Sequence, residues 1–463
     1  MHLNYGVLPY KYIRIGNDYL IISDYGSWCF LNEEEFKKLE NNKIDDEIKI
    51  KLEKEKIIAS KNNINQIIAD YKNLNRFLFQ GPSLHIVIPT LKCNQNCVYC
   101  QAKPKNDINL FMTKETAIKV LDFIFKSPSQ AITIEFQGGE PLLNWDVVKF
   151  IVEEARKINN EFEKKDLRIS MVTNLTLMDD EKLDFLIKNN VSICTSLDGP
   201  KYVHDKNRIY LENKGTYDDV IKWIKKINKE YKKRNVKMKL NAIATITKQS
   251  LPYWKEIVDE YVKDGFNTIP LGFVNKMGSA KRNWNEIGYS PEEFIEFWKK
   301  AMNYIIELNR KGINIKERLS IYMLTKIFDK VDPGYTELMS PCGAGRTQIV
   351  YNTNGDIYTC DEGRMLEEDL FKLGNVENKY EDIMRNDNLI AICHSSLLDN
   401  YCTLCAFKPF CGTCPVANYN EQGTIIPKIT ETFRCKVYKE LFIYIYSKIR
   451  NPEIAEIFKR WIL

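Results

Sequence analysis

The sequence predicts an α/β protein: a partial (β/α)6 barrel of the TIM type, preceded by a small α+β module and followed by a cysteine-rich domain. Three observations lead there. Between residue 83 and about residue 280, short apolar runs alternate with helical patterns, as in βα units that build a parallel sheet. The polar and glycine-bearing motifs of that region fall at the ends of the expected strands, where α/β barrels gather their active sites. The 13 cysteines are unevenly spread: three stand between residues 93 and 100 and eight follow residue 340.

Residues 1–80 read as the first unit. Residues 12–15, 19–23 and 28–31 alternate like short strands, with turns at Gly16-Asn17-Asp18 and Gly26, and Asn32 followed by Glu33, Glu34 and Glu35 opens a helix. The barrel occupies residues 81–285. Its strands are expected at 84–88, 131–137, 168–174, 191–197, 236–246 and 266–274, with helices between, among them 113–126, capped by Thr113 with Glu115 in its first turn, and 145–158, with Asn144 at its start. Residues 286–340 show helical periodicity at 292–311 and 317–330 and read as a bridge without chemistry of its own. Residues 341–440 hold the second cysteine field. There Asn354-Gly355 signals a hairpin between 348–351 and 357–359. Residues 441–463 read as a C-terminal helix.

At 463 residues there is room for two or three domains, and a hydrophobic content of 44% is ample for a large core. The net charge of +5 is a mild excess over many mixed charges. Runs such as Lys225-Lys226 and Lys232-Lys233-Arg234 read as solvated helix faces rather than a nucleic-acid surface. No apolar signal stands at the N-terminus and no run approaches the ~20 apolar residues of a membrane span. A cytoplasmic protein is therefore expected, without nucleic-acid or membrane partners. In that compartment disulfides are not expected, and clustered cysteines are a metal signal. The only histidines are His2, His85, His204 and His394, so histidine-based zinc sites and acid–base chemistry fit poorly.

The first cysteine motif is Cys93-x3-Cys97-x2-Cys100, after the strand 84–88 and Pro89. Three thiolates on a short loop can hold three corners of an iron–sulfur cube and leave the fourth iron open. Structural zinc usually takes four closed ligands and fits a lone trio poorly. Gln137-Gly138-Gly139-Glu140-Pro141 follows the second strand. Its glycines let backbone approach a ligand, and its carboxylate can take an ammonium proton. Thr173-Asn174 end the third strand and either line the site or cap a loop. Ser196 ends the fourth, with Arg208 beyond it.

The cysteine spacing, with Tyr99 directly before the third thiol, resembles the signature of the radical S-adenosylmethionine (SAM) superfamily. The resemblance implies a 4Fe–4S cluster on Cys93, Cys97 and Cys100, whose open iron is chelated by SAM. It implies that Gly138, Gly139, Glu140 and Pro141 hold the SAM amino group and that Ser196 and Arg208 clamp its carboxylate and ribose. For Arg208 the alternative is a surface salt bridge. Tyr99, Gln137 and Asn174 complete the expected cofactor-binding set. Leu271 packs on the adenine or is a plain core leucine. The first unit looks like the winged-helix precursor-peptide recognition elements fused to peptide-modifying enzymes, the alternative being a packing extension.

The second field reads Cys342-x12-Gly355-x4-Cys360, then Cys402-x2-Cys405-x5-Cys411-x2-Cys414, then Cys435. This resembles the SPASM domain, a C-terminal extension with two auxiliary 4Fe–4S clusters. The implied ligand sets are Cys402, Cys405, Cys411 and Cys435 for one, and Cys342, Cys360 and Cys414 for the other. The last gap is two residues where three is common, which is closest to the His-Xaa-Ser-system maturases. The second set lacks a fourth cysteine: that iron is open, or Cys393 closes it, although Cys393 in Leu389–Cys393 also reads as core. Cys29 and Cys194 read as core. A four-thiolate zinc site at Cys402–Cys414 is the rival, but it leaves Cys342, Cys360 and Cys435 without a role.

Asp361, directly after Cys360, occupies the place of the base in radical SAM enzymes that make formylglycine, although the following Glu362-Gly-Arg364 departs from that group. The resemblance implies a radical SAM/SPASM enzyme acting on a ribosomally made peptide or protein, with an external electron donor of flavodoxin or ferredoxin type. Thioether or carbon–carbon crosslinking leads, formylglycine formation and epimerisation follow, and a metal-dependent binding protein is the non-enzymatic alternative.

Overall fold

The computed structural model describes residues 6–102, 110–334, 336–397 and 400–463, so the first five residues of the N-terminal unit lie outside it. In that unit β1 (Tyr10–Ile15), β2 (Asp18–Ser23) and β3 (Trp28–Leu31) form an antiparallel meander. Its turns pass through Gly16 and Gly26, whose positive φ angles, 65° and 81°, strain any residue with a Cβ. Helix α1 (Glu33–Glu40) opens on a complete capping box between Asn32 and Glu35. The period of two in β2 divides its side chains between two cores. Ile21 packs with Leu31, Phe36 and Leu39 inside the unit, while Leu20 and Ile22 join the main core of the molecule.

Six parallel strands follow in sequence order: β4 (Leu84–Thr90), β5 (Ala131–Gly138), β6 (Asp166–Val172), β7 (Val191–Ser196), β8 (Asn241–Ile246) and β9 (Leu271–Phe273). Helices α2 (Lys114–Phe125), α3 (Trp145–Ile158), α4 (Asp180–Lys188), α5 (Tyr217–Lys233) and α6 (Trp254–Lys263) connect them. Alternation along β5 sends Ile132, Ile134 and Phe136 into the core that these helices share, and Thr133, Glu135 and Gln137 to the opposite, half-buried face. Thr113 caps α2 through the Thr116 N–H, as its sequence announces.

The structure departs from the sequence reading in several places. Residues 236–240 do not join β8. The last expected strand is interrupted at Pro270, which has no N–H to donate: residues 268–269 pair instead with 316–317, and β9 begins at Leu271. Asn144 does not cap α3; its amide donates to the carbonyls of Pro89 and Met112 and ties three segments together. The bridge contains α7 (Pro291–Arg310) and α8 (Arg318–Leu324).

The second cysteine field is not separate from the sheet. Its hairpin, β10 (Gln348–Tyr351) and β11 (Asp356–Tyr358), turns at Gly355, and β12 (Lys372–Asn375) completes it. Strand β10 pairs in parallel with β4, Gln348 opposite Leu84 through Tyr351 opposite Val87. The whole is an open nine-stranded sheet in the order β9-β8-β7-β6-β5-β4-β10-β11-β12. Helices α9 (Asp361–Leu366), α10 (Asp387–Ser395) and α11 (Pro415–Gln422) follow. The C-terminus is two helices where one is expected. Helix α12 (Phe433–Ile449) stops before Pro452, and Asn451 caps α13 (Pro452–Ile462) through the N–H groups of Glu453 and Ile454. Among the described residues no helix is long and apolar enough to cross a membrane.

Candidate functional site

The first cysteine loop leaves the end of β4 and is pinned by the glycine motif at the end of β5. Gly139 N–H donates to the Thr90 carbonyl at 3.0 Å and Glu140 N–H to the Lys92 carbonyl at 2.8 Å. A Cβ on Gly139 would stand 2.0 Å from the Lys92 oxygen, and one on Gly138 (φ 127°) 2.5 Å from the Thr90 oxygen. Both glycines are thus required by close backbone approach. Within the loop Gln95 N–H donates to Cys93 Sγ at 3.4 Å, and Asn174 Nδ2, from the end of β6, approaches that sulfur at 3.9 Å while donating to Asn94 Oδ1 at 3.0 Å. Cys97 Sγ donates to Gln95 Oε1 at 3.5 Å. The carbonyl of Cys100 is held by Ser279 N–H at 2.8 Å.

Cys93, Cys97 and Cys100 are close enough to influence one another's ionisation. Burial pushes the Cys93 thiol up and the Cys97 thiol up to about 12, so ionising these sulfurs needs a cation. The Nε2 of Gln95, a buried residue beside Cys97, has no hydrogen-bond partner among the described residues. Three converging sulfurs with a spare buried donor between them fit an iron–sulfur cluster, whose own sulfides accept such bonds.

The Glu140 carboxylate is engaged by protein donors. It accepts from Thr173 Oγ1 (2.7 Å), Asn174 N–H (2.7 Å) and Leu142 N–H (3.0 Å), which locks the ends of β5 and β6 together. Burial nevertheless pushes it up to about 7. Pro141 is buried in the turn that follows. Gln137 points along the half-buried face and donates to Glu135 Oε1 at 2.6 Å, while Ser170 Oγ donates to Glu135 Oε2 at 3.0 Å.

Arg208 is not a surface residue. Its Nε lies 3.2 Å from Asp198 Oδ2, and its guanidinium sits 5.2 Å from the centre of the Tyr99 ring. Tyr99 OH donates to the same Asp198 oxygen at 2.6 Å, and Thr245 N–H donates to the other at 3.1 Å. Asp198 is fully buried and organises the group, yet nothing marked it within Thr195–Pro200 except its place at the end of β7. Ser196 closes β7 nearly buried, and Leu271, at 2% exposure, belongs to the main core.

The later cysteines gather in two groups. Cys402, Cys405, Cys411 and Cys435 line one cavity of about 340 Å³, and Cys405, Cys402 and Cys435 all act on the ionisation of Cys411. Cys342, Cys360 and Cys414 line a second cavity of about 220 Å³, whose wall also includes Glu135, Gln137 and Glu362. Cys414 borders both. Cys360 and Cys414 cap helices α9 and α11, their sulfurs accepting from Gly363 N–H (3.3 Å) and Ala417 N–H (3.5 Å). Cys393 lies near enough to Cys342 to act on its ionisation and lines a neighbouring cavity. It sits on α10 and its Sγ donates to the Ala344 carbonyl at 3.4 Å. Cys29 is buried core. Cys194 is not: it lies on the half-buried face of β7, where the nearby Arg318 opposes the burial that pushes its thiol up to about 11. Among the described residues no three His, Cys, Asp or Glu side chains close on a single point as ligands of one ion do; the corners of a cluster are spaced more widely.

Asp361 borders the second cavity but is turned to Arg364, whose Nη2 and Nε donate to its Oδ1 at 2.8 and 3.1 Å. The bridge, read as free of chemistry, supplies two charged groups. Arg318 stands beside Cys194. Glu337 takes the buried Arg434 at 2.5 Å and the Tyr438 hydroxyl at 2.6 Å. Neither shows a local sequence signal; both are visible only once the helices are packed.

Residues 87–260 match the family model described as the radical SAM superfamily. Among curated proteins, the chain is 24% identical over 372 residues to a cysteine-type anaerobic sulfatase-maturating enzyme of Clostridium perfringens, covering 78% of this chain and 95% of that one. It is 24% identical over 444 residues to the radical SAM cyclopropyl synthase TigE of Paramaledivibacter caminithermalis, covering 90% and 86%. Among solved structures, anSMEcpe with bound AdoMet superposes with a TM-score of 0.69 at 20% identity over 81% of this chain and 99% of that one. SuiB of Streptococcus suis, bound to its precursor peptide SuiA, gives 0.55 at 16% identity over 90% and 97%. These likenesses are of fold.

Proposed function

We propose that this enzyme, whose residues 87–260 are a radical SAM domain, modifies a ribosomally made peptide or protein by forming a thioether or carbon–carbon crosslink. Bound together, a four-iron cluster and SAM supply a 5′-deoxyadenosyl radical that takes a hydrogen atom from a substrate carbon. Cys93, Cys97 and Cys100 would hold the cluster. The backbone of Gly138 and Gly139, with Ser196, Asn174 and Arg208, would hold SAM. Asp198 and Tyr99 keep the Arg208 fork in one orientation, and an arginine fork suits a carboxylate. The buried turn at Pro141 and the close packing of the two loops exclude water from the reacting centre.

The observation that carries the reading is the second cavity. It joins Glu135 and Gln137 of the parallel sheet to Cys342, Cys360 and Cys414 in one space. A substrate residue there would stand against both the barrel-side face of the sheet and a second set of sulfurs, which suits a reaction that must also remove an electron. We read these as the ligands of one auxiliary cluster, Cys402, Cys405, Cys411 and Cys435 as those of another, the sheet and its helices as a partial barrel, and residues 341–440 as a SPASM domain. The N-terminal unit would engage a precursor peptide. In support, the matches to SuiB with its precursor peptide and to a cyclopropyl synthase span 90% of the chain, against 81% for anSMEcpe. An external flavodoxin- or ferredoxin-type donor would supply the electron. Formylglycine formation is the second reading, favoured by the sulfatase-maturating relative and by Asp361 next to Cys360. Against it, Arg364 already engages Asp361.

Incubating the reduced enzyme with SAM tests the common core. Cys97→Ala is expected to bring 5′-deoxyadenosine down to the level of a no-enzyme control, and substantial product from that variant contradicts the assignment. With a peptide substrate, crosslinking removes a pair of hydrogens and retains sulfur. Conversion of cysteine to formylglycine releases the sulfur, and mass spectrometry separates the two.

A further inference from the structure

The ligand set at the second cavity is one short. Cys342, Cys360 and Cys414 give three sulfurs for a four-cornered cluster, whereas Cys393, although near enough to act on Cys342, lines a neighbouring cavity and donates to the Ala344 carbonyl. The three other acids of the cavity wall are already engaged: Glu135 by Gln137 and Ser170, Asp361 by Arg364, and Glu337 by Arg434 and Tyr438. Glu362 is not. It borders the same cavity as the three sulfurs, and among the described residues its carboxylate takes no hydrogen bond from any residue but its own backbone. It is the charge that acts most strongly on the Cys360 thiol, and it also acts on Cys414. It stands in the first turn of α9, which is held in place: Cys360 Sγ accepts from Gly363 N–H at 3.3 Å, and a Cβ on Gly363 would meet Thr359 Oγ1 at 2.9 Å and Phe371 Cβ at 3.0 Å.

We propose that Glu362 is the fourth protein ligand of the cluster held by Cys342, Cys360 and Cys414; this rests on the reading that a cluster occupies that cavity. A carboxylate is an ordinary ligand for iron. Placing it beside three thiolates and the Glu337 and Asp361 carboxylates, with only the shared Arg434 cation opposite, is unfavourable, and an iron at the fourth corner offsets that cost. The consequence for the reaction is that this cluster is closed by the protein, with one oxygen corner, instead of presenting a bare iron to the substrate.

The test uses full-length protein reconstituted without oxygen, in a background where Cys93, Cys97 and Cys100 are all alanine, so that only auxiliary signals remain. Iron content, the electron paramagnetic resonance spectrum and the reduction potential are read. Cys342→Ala identifies the cluster by the signal it removes. Glu362→Ala is expected to change the shape and potential of that same signal, with loss of about one iron per chain, while the other auxiliary signal is unchanged and reports that the fold is intact. Glu362→Cys is expected to restore the iron with a shifted potential. If Glu362→Ala leaves the signal, its potential and the iron count as they were, the ligand assignment is overturned and the cluster reading stands. If Cys342→Ala removes no signal, the cluster reading itself falls, and the assignment with it.

Discussion

Arg208 keeps a charge inside the protein because three groups answer it: the Asp198 carboxylate at 3.2 Å, the face of Tyr99 and the Cys97 sulfur. Removing one member of such a buried pair strands the other. Asp198→Asn is therefore expected to destabilise the protein by about 3–5 kcal/mol in chemical denaturation and to weaken SAM binding, whereas Tyr99→Phe, which loses one hydrogen bond to a charged group, costs about 1.5–3 kcal/mol. Equal stabilities for Asp198→Asn and wild type would contradict this placement. His204 lies behind the same group, its Nε2 3.1 Å from Thr216 Oγ1 and its Nδ1 3.3 Å from Asp198 N–H. Burial lowers it from the ordinary 6.5 to about 4. Between those values the unfolded chain binds the proton and the folded one does not. Stability from this residue is thus complete above pH 6.5 and is lost as pH falls toward 4, by about 3 kcal/mol over the full window. His204→Gln is expected to flatten that part of the slope in denaturation curves taken at pH 7 and pH 5, and an unchanged slope would contradict it. His85, buried and lowered to about 3, adds to the wild-type slope and remains in the variant.

At the scale of elements, the glycine motif and the cysteine loop form one unit. Gly139→Ala puts a methyl group where the Lys92 carbonyl already stands, so the loop has to move. The expected result is loss of iron from the first cluster, with far-ultraviolet circular dichroism unchanged. Full iron loading of that variant would contradict the packing described. This unit was legible in the sequence because both its parts are local motifs, and so were the capping box at Asn32, the Thr113 cap and the hairpin at Gly355. Other features depend on partners far along the chain. Pairing of β10 with β4 joins Gln348 to Leu84, and neither strand carries a sign of the other. The roles of Arg318 and Glu337 depend on how the bridge packs. The protein partners of Glu140 were not legible in its motif. Its carboxylate serves three protein donors, two of them on residues 173 and 174. Cys194 is not core because alternation along its strand turns Val191 and Ile193 inward and puts Ser192 and Cys194 on the half-buried face.

Across the whole molecule, the N-terminal unit is part of the core and not a loose appendage. Leu20 and Ile22 enter the main core, Trp28 Nε1 donates to the Ile327 carbonyl at 3.2 Å, and the Trp28 ring packs edge-on against Tyr446 at 5.2 Å. Deleting residues 1–80 is expected to lower the unfolding midpoint and promote aggregation, because it uncovers the apolar surface these residues occupy. A truncated chain that stayed monomeric with the full-length midpoint would contradict this. Metal analysis distinguishes three iron–sulfur sites at the three groups of sulfurs from a single one. Iron, sulfide and zinc are to be counted per chain on protein purified and reconstituted without oxygen. Three four-iron clusters give about 12 irons with as many sulfides. About 4 irons with one or two zincs would leave SAM cleavage in place and remove both auxiliary clusters, and the crosslinking reading with them.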